Sequence, residues 1–149
     1  MLRIIEKYGM LWIRLWFGGF NLISGLNYWL PIFPFPKIAD PLGATYFDVS
    51  VQMGLFQMAK AIEVIAGLSL ISGVGVPLAL ILLFPVTLNV FVLDGFISFL
   101  PHIKASGIRN FLFHLILLAY YSAYYLPLLK IWSKPAPLWR NSHLLKKFF

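Results

Sequence analysis

The chain contains no cysteine. Disulfides, thiolate nucleophiles, Cys-ligated zinc, iron–sulfur clusters and CxxC redox relays are therefore excluded within it. Charge is the second scarcity. Charged residues make up 11% of the 149 residues, against about 25% in a typical soluble domain. Acidic residues are rarer still, five against twelve Lys and Arg. Three histidines, His102, His114 and His143, are too scattered to suggest a haem or metal site, and no metal is expected. HExxH, the P-loop, a G-x-G-x-x-G fingerprint after a strand and G-x-S-x-G are all missing, so the common hydrolase and nucleotide chemistries lack their signatures.

Apolar residues are abundant, at 60%. One small core cannot hide that much apolar surface, and lipid is the solvent that removes the need to. The runs lack the period-two alternation of a barrel strand. The sequence therefore predicts an all-α, integral membrane four-helix transmembrane bundle in a single domain, residues 1–149. Helices are expected at about 10–30, 51–71, 76–98 and 108–132, each of about 20 residues or more, enough to cross about 30 Å of hydrocarbon. Pro31, Pro34, Pro36 and Pro41 stop the first helix, since proline lacks the amide donor. The stretch from Pro31 to Asp48 reads as a long connection folded at the interface. Ser72-Gly73-Val74-Gly75 reads as a tight turn, with Pro77 near the first position of the next helix. Asp94-Gly95 is a possible stop, and Pro101–Gly107 reads as the next loop. The apolar run after Lys7 is too long for a signal peptide and reads as a retained span.

The net charge of +7 does not point to nucleic acid, because the basic residues flank apolar spans rather than forming a stripe. Arg3, Lys7 and Arg14 fall on one side with Lys130, Lys134, Arg140, Lys146 and Lys147. Lys37, Lys104 and Arg109 fall on the other. This excess predicts cytoplasmic N and C termini. Residues 133–149 form a basic tail with Trp139, Leu144, Leu145, Phe148 and Phe149, the pattern of an amphipathic surface anchor binding membrane lipids.

Ionisable residues inside a membrane are costly and so are functional candidates. Gln57, Lys60 and Glu63 share one helical stripe, continued by Gly67, and Lys60 and Glu63 are spaced to pair. Counting from the helix ends puts Asn27, Gln57, Lys60, Asn89, Asp94 and His114 in the half facing away from the cytoplasm, with Glu63 near the midplane. A polar pocket inside the bundle is expected, with Lys60, Glu63, Asn89, Asn27 and Asp94 as candidate binding residues. Structural readings stand beside these. Asn21, Asn27 and Asn89 can be interhelical glue, Lys60–Glu63 a structural ion pair, Asp94 a snorkelling helix-end residue, and His114 a hydrogen-bonding core residue. Glu63 and Asp94 would relay a proton only if they lie close together.

Two stretches carry a family likeness. One is Phe20-Asn21-Leu22-Ile23-Ser24-Gly25-Leu26-Asn27, followed by an aromatic and proline-rich segment to Pro36. The other is the K-x-x-E-x-x-x-G run from Lys60 to Gly67, then Val76-Pro77-Leu78-Ala79-Leu80 and Pro85-Val86-Thr87-Leu88-Asn89-Val90. Together they resemble the DoxX-like family of small four-helix bacterial membrane proteins, over roughly Leu11 to Leu129. Two positions depart from the pattern. Tyr28 stands where a lysine is usual, and Val92-Leu93-Asp94 occupies a region that often holds a histidine. The resemblance implies a bacterial inner membrane location, and association with quinone-linked redox systems. The leading functional expectation is a non-catalytic accessory subunit of a larger membrane complex, respiratory or otherwise energy-converting, with other membrane-protein subunits as partners. The alternative is a quinone- or lipid-binding membrane redox component, and the third is a small-solute transporter.

Overall fold

The computed structural model describes residues 2–34, 38 and 40–126. Among them the protein is all-helical, with no strand. Five α-helices follow in order: α1 Leu2–Leu26, α2 Pro41–Gln52, α3 Leu55–Ser72, α4 Val76–Val92 and α5 Pro101–Tyr120. A π-turn at Leu93–Ile97 extends α4, and a short 3₁₀ turn at Ser122–Tyr124 follows α5.

Several boundaries differ from the sequence expectation. The first helix begins near the N-terminus, with Ile4, Glu6 and Lys7 on an exposed overhang, and it ends at Leu26 rather than Leu30. It ends there because Asn27 turns its side chain onto the chain ahead. Its Oδ1 accepts from the Ile32 and Phe33 amides, both at 2.9 Å, and its Nδ2 donates to the Phe33 carbonyl at 3.0 Å. The expected single helix over 51–71 is two helices. Gly54, at φ +78°, breaks the path between α2 and α3 in the left-handed region that favours glycine. Most of α2 therefore lies in the stretch expected to be connection. Asp40 caps it, accepting from the Gly43 amide at 2.9 Å, and Pro41 occupies its first turn. Asp94-Gly95 does not stop the third span, because the helix widens into the π-turn and continues to Ile97. Pro101–Gly107 is not a loop but the opening turns of α5, since proline fits a helix start. The continuation of the last helix from 127 to Trp132 and the tail 133–149 lie outside the described residues.

α1 packs most extensively on α3, and α3, α4 and α5 follow as neighbours in sequence. The turn from α3 to α4 is as expected, with Gly73 and Gly75 at φ +81° and +66° and Pro77 in the first turn of α4. The core holds Phe17, Ala66, Leu70, Ala79, Leu80, Leu83 and Leu117. Outside it, large apolar side chains stay exposed along every long helix, among them Trp12, Ile65, Leu82 and Leu112. Two helical segments are long and apolar enough to cross a membrane, Leu55–Ser72 and Val76–Ile97. The core helix of a soluble protein would be mostly buried, whereas only 28% of each apolar window is buried here. The fold is compatible with a membrane protein.

Candidate functional site

The site grows from α3. Helical spacing sets Lys60 and Glu63 one above the other, and both are buried. Their ends meet, with Lys60 Nζ donating to Glu63 Oε2 at 2.7 Å. Lys60 also donates to Ser24 Oγ on α1 at 3.0 Å and lies 5.2 Å from the centre of the Phe56 ring. Two buried opposite charges offset much of each other's desolvation only when bonded this closely.

α1 comes near enough to supply Ser24 because Gly25 and Gly67 remove side chains at the crossing. A methyl group on Gly25 would lie 2.8 Å from the Lys60 carbonyl oxygen. Gly67 continues the Lys60–Glu63 stripe, as the sequence indicated, and is buried.

Two adjoining cavities meet at this pair. The first, about 470 Å³, is lined by Lys60, Glu63, Asn89 and Asp94, with Tyr46 and Phe47 of α2. The second, about 870 Å³, is lined by Asn27, Lys60, Glu63, Asp94 and Asn110, with Phe17 of α1. Lys60, Glu63, Asp94, Phe56 and Val90 belong to both walls. Both volumes fall in the range of about 300–1,000 Å³ used by small-molecule sites.

The expected residues thus converge, but not equally. Lys60, Glu63 and Asp94 sit where the cavities join. Asn89 lines only the first and is exposed, donating to the Tyr46 hydroxyl at 2.6 Å. Asn27 lines only the second, and its amide is committed to the turn after α1. Asp94 is half-buried in the π-turn and within electrostatic reach of Lys60. Gln57 lines neither cavity.

His114 does not join the cavities. It is fully buried in the packed core, where Nε2 meets the Leu80 carbonyl at 3.0 Å, and Phe17 and Phe84 pack on its ring. That bond to a carbonyl requires the proton on Nε2. α5 contributes Ser106 and Asn110 to the larger cavity instead. The spacing Ser106, Asn110, His114 is a polar stripe at intervals of four, and it disappears once the helix is started at Ile108. Among the described residues, no cluster of three or more His, Asp or Glu side chains is placed to hold a metal ion. Where the cavities join, the described residues offer one buried cation, Lys60, two carboxylates, Glu63 and Asp94, and apolar walls. That set can bind and orient a polar head.

Compared with protein-family models, curated proteins and solved structures, the chain matches none.

Proposed function

We propose that this is a four-span membrane protein of the DoxX-like type, and that its working part is the pair of cavities at Lys60–Glu63. In this reading the cavities hold an amphipathic small molecule drawn from the bilayer. The observation that carries it is a buried ion pair on the wall shared by two cavities of ligand size. A purely structural pair needs no such space. The family resemblance suggests quinones and lipids as the ligand classes.

The membrane part of the proposal takes α1, α3, α4 with its π-turn, and α5 as the spans. At about 1.5 Å per residue, 20 residues of α5 reach about 30 Å, and α1 is longer. α2, with 12 residues, is too short to cross and lies against the bundle. Both termini are assigned to the cytoplasm of a bacterial inner membrane on the distribution of Lys and Arg. The cysteine-free sequence makes this directly testable. Single cysteines at either terminus should be protected from an impermeant thiol reagent in intact cells, whereas one at Val74 should also be protected and one at Phe99 should react.

Ligand binding is tested by purifying the chain in a mild detergent and extracting co-purifying small molecules for mass spectrometry. The wild-type chain should retain an amphiphile that the Glu63→Gln variant loses. Retention that is equal in both would sink the proposal.

The accessory-subunit reading has one structural support, the exposed aromatic side chains Trp12, Trp29 and Phe99, which suit a protein neighbour in the membrane. A stoichiometric partner that stays bound to both the wild-type chain and Glu63→Gln, with no extractable amphiphile, would favour it.

A further inference from the structure

The Lys60 ammonium is largely in use, with two of its three donors bonded to Ser24 and Glu63. The larger cavity is lined by two polar groups without hydrogen-bond partners among the described residues, the Asn110 amide and the Asp94 carboxylate. Asn110 is 3% exposed, and its buried Oδ1 has no hydrogen-bond partner among the described residues. The Asp94 carboxylate makes no hydrogen bond or salt bridge among them either, and it also lines this cavity. The two are neighbours. Asp94 lies against Gly107, where a methyl group would come within 2.6 Å of its Cβ, and Asn110 is one helical turn further along the same face of α5.

The charge of the walls points the same way. Among the described residues, Lys60 is the one cation lining the larger cavity, against Glu63, Asp94 and Asp48. The remaining wall is rich in phenylalanine, with Phe17, Phe20, Phe33, Phe47 and Phe56. Aromatic faces attract a desolvated cation and accept an apolar body. A buried acceptor without a donor is costly, so an occupant that supplies the donor is favoured over one that does not.

We infer that the larger cavity takes an amphiphile with a protonated amine head. Its N–H groups donate to the Asp94 carboxylate and to Asn110 Oδ1, which a rotation of that unbonded amide turns to the cavity, and its apolar body lies among the phenylalanines. An anionic head would meet the excess carboxylates, while Lys60 already gives two of its three donors to Ser24 and Glu63. The inference rests on the ligand-binding reading and narrows it from lipids in general to amine-headed ones.

The test uses one tail with three heads. Radiolabelled dodecylamine, dodecyltrimethylammonium and dodecanoate are titrated onto the full chain in lipid nanodiscs, with empty nanodiscs subtracted. Dodecylamine should bind saturably, about tenfold or more tighter than dodecyltrimethylammonium, which keeps the charge but has no N–H donor. Dodecanoate should not compete. Asn110→Leu should weaken the amine about tenfold and leave dodecyltrimethylammonium unchanged. Asn110→Asp, which keeps an acceptor, should hold or improve amine binding and guards against a folding defect in the leucine variant. Dodecanoate competing as well as the amine, or equal amine binding by the wild-type chain and Asn110→Leu, would overturn the inference. If extraction yields a neutral or anionic amphiphile while the amine fails to bind, the inference falls and the cavity reading stands. If no probe binds and nothing is extracted, both fall.

Discussion

Gly67 and Leu22 meet backbone to backbone: a methyl group on Gly67 would lie 2.7 Å from the Leu22 nitrogen and 2.9 Å from the Gly18 carbonyl oxygen. Fixed main chain cannot yield to that methyl as a flexible side chain would. In lipid, where apolar tails offer no hydrophobic drive between helices, such close approach is a principal source of helix association.

Gly67→Ala should therefore destabilise the bundle by about 1–3 kcal/mol, the range for overpacking, and Gly67→Leu should prevent α1 from docking. Gly9 and Gly19 have nothing within 4 Å of an added methyl. Alanine there should be neutral or stabilise by about 0.5–1 kcal/mol through helix propensity. Circular dichroism during SDS titration from mild detergent separates these cases. Equal effects at Gly67 and Gly19 would contradict the packing.

The Lys60–Glu63 pair predicts an asymmetry between single and double substitutions. Glu63→Leu alone leaves a buried ammonium, and Lys60→Met alone leaves a buried carboxylate; each should cost about 3–5 kcal/mol. Lys60→Met with Glu63→Leu removes both charges and should recover most of that loss. The same SDS titration measures it. Additive losses in the double variant would mean the two charges act independently.

Asn27 predicts a local rather than global effect. Replacing it with alanine removes three hydrogen bonds that tie Ile32 and Phe33 to the end of α1. Its neighbours are exposed, so water can satisfy the freed amides. Chymotryptic cleavage after the exposed Trp29 should accelerate while unfolding of the bundle changes by no more than about 1–2 kcal/mol. Unchanged cleavage would show that proline and packing alone hold that segment.

Among the described residues, Tyr46 carries one of two side-chain hydrogen bonds between α2 and the other helices, accepting from Asn89 of α4, while Gln57 of α3 donates to the Val51 carbonyl. Tyr46→Phe should raise amide exchange in α2, with little effect on α3 to α5, since an exposed neutral bond contributes about 0.5–1 kcal/mol at most. Exchange rising equally across all helices would instead assign Tyr46 a global role.

The residues most legible in the sequence were those whose role follows from one helix alone. Lys60 and Glu63 pair because they are three apart, and Gly67 continues their stripe whatever the partner helix. The turn at Gly73 and Gly75 is local as well. The partition of the chain between Pro31 and Leu55 was harder to read, because hydrophobicity runs on through Gly54 while a single left-handed glycine breaks the helix. Asp40-Pro41 and Leu100-Pro101 carried start signals that a search for apolar runs overlooks. His114 and Asn110 exchanged significance for a tertiary reason. Both are buried on α5, but Leu80 of α4 bonds His114, whereas Asn110 lines a cavity and has no partner among the described residues. One helix cannot specify which of its polar residues meets a neighbour and which meets a void.

The π-turn fixes the phase of everything beyond it. Its wider ring, closed by the Ser98 amide on the Leu93 carbonyl at 2.9 Å, accommodates one residue more than an α-turn holds. Deleting Gly95 would return this stretch to α-helical pitch and rotate the register by about 100°. α5 would then enter at a different angle, and Gly107 would no longer pack on the Asp94 side chain. The bulge thus acts as an indexing notch: one inserted residue, with no chemistry of its own, sets how α5 is presented to Asp94 and the larger cavity.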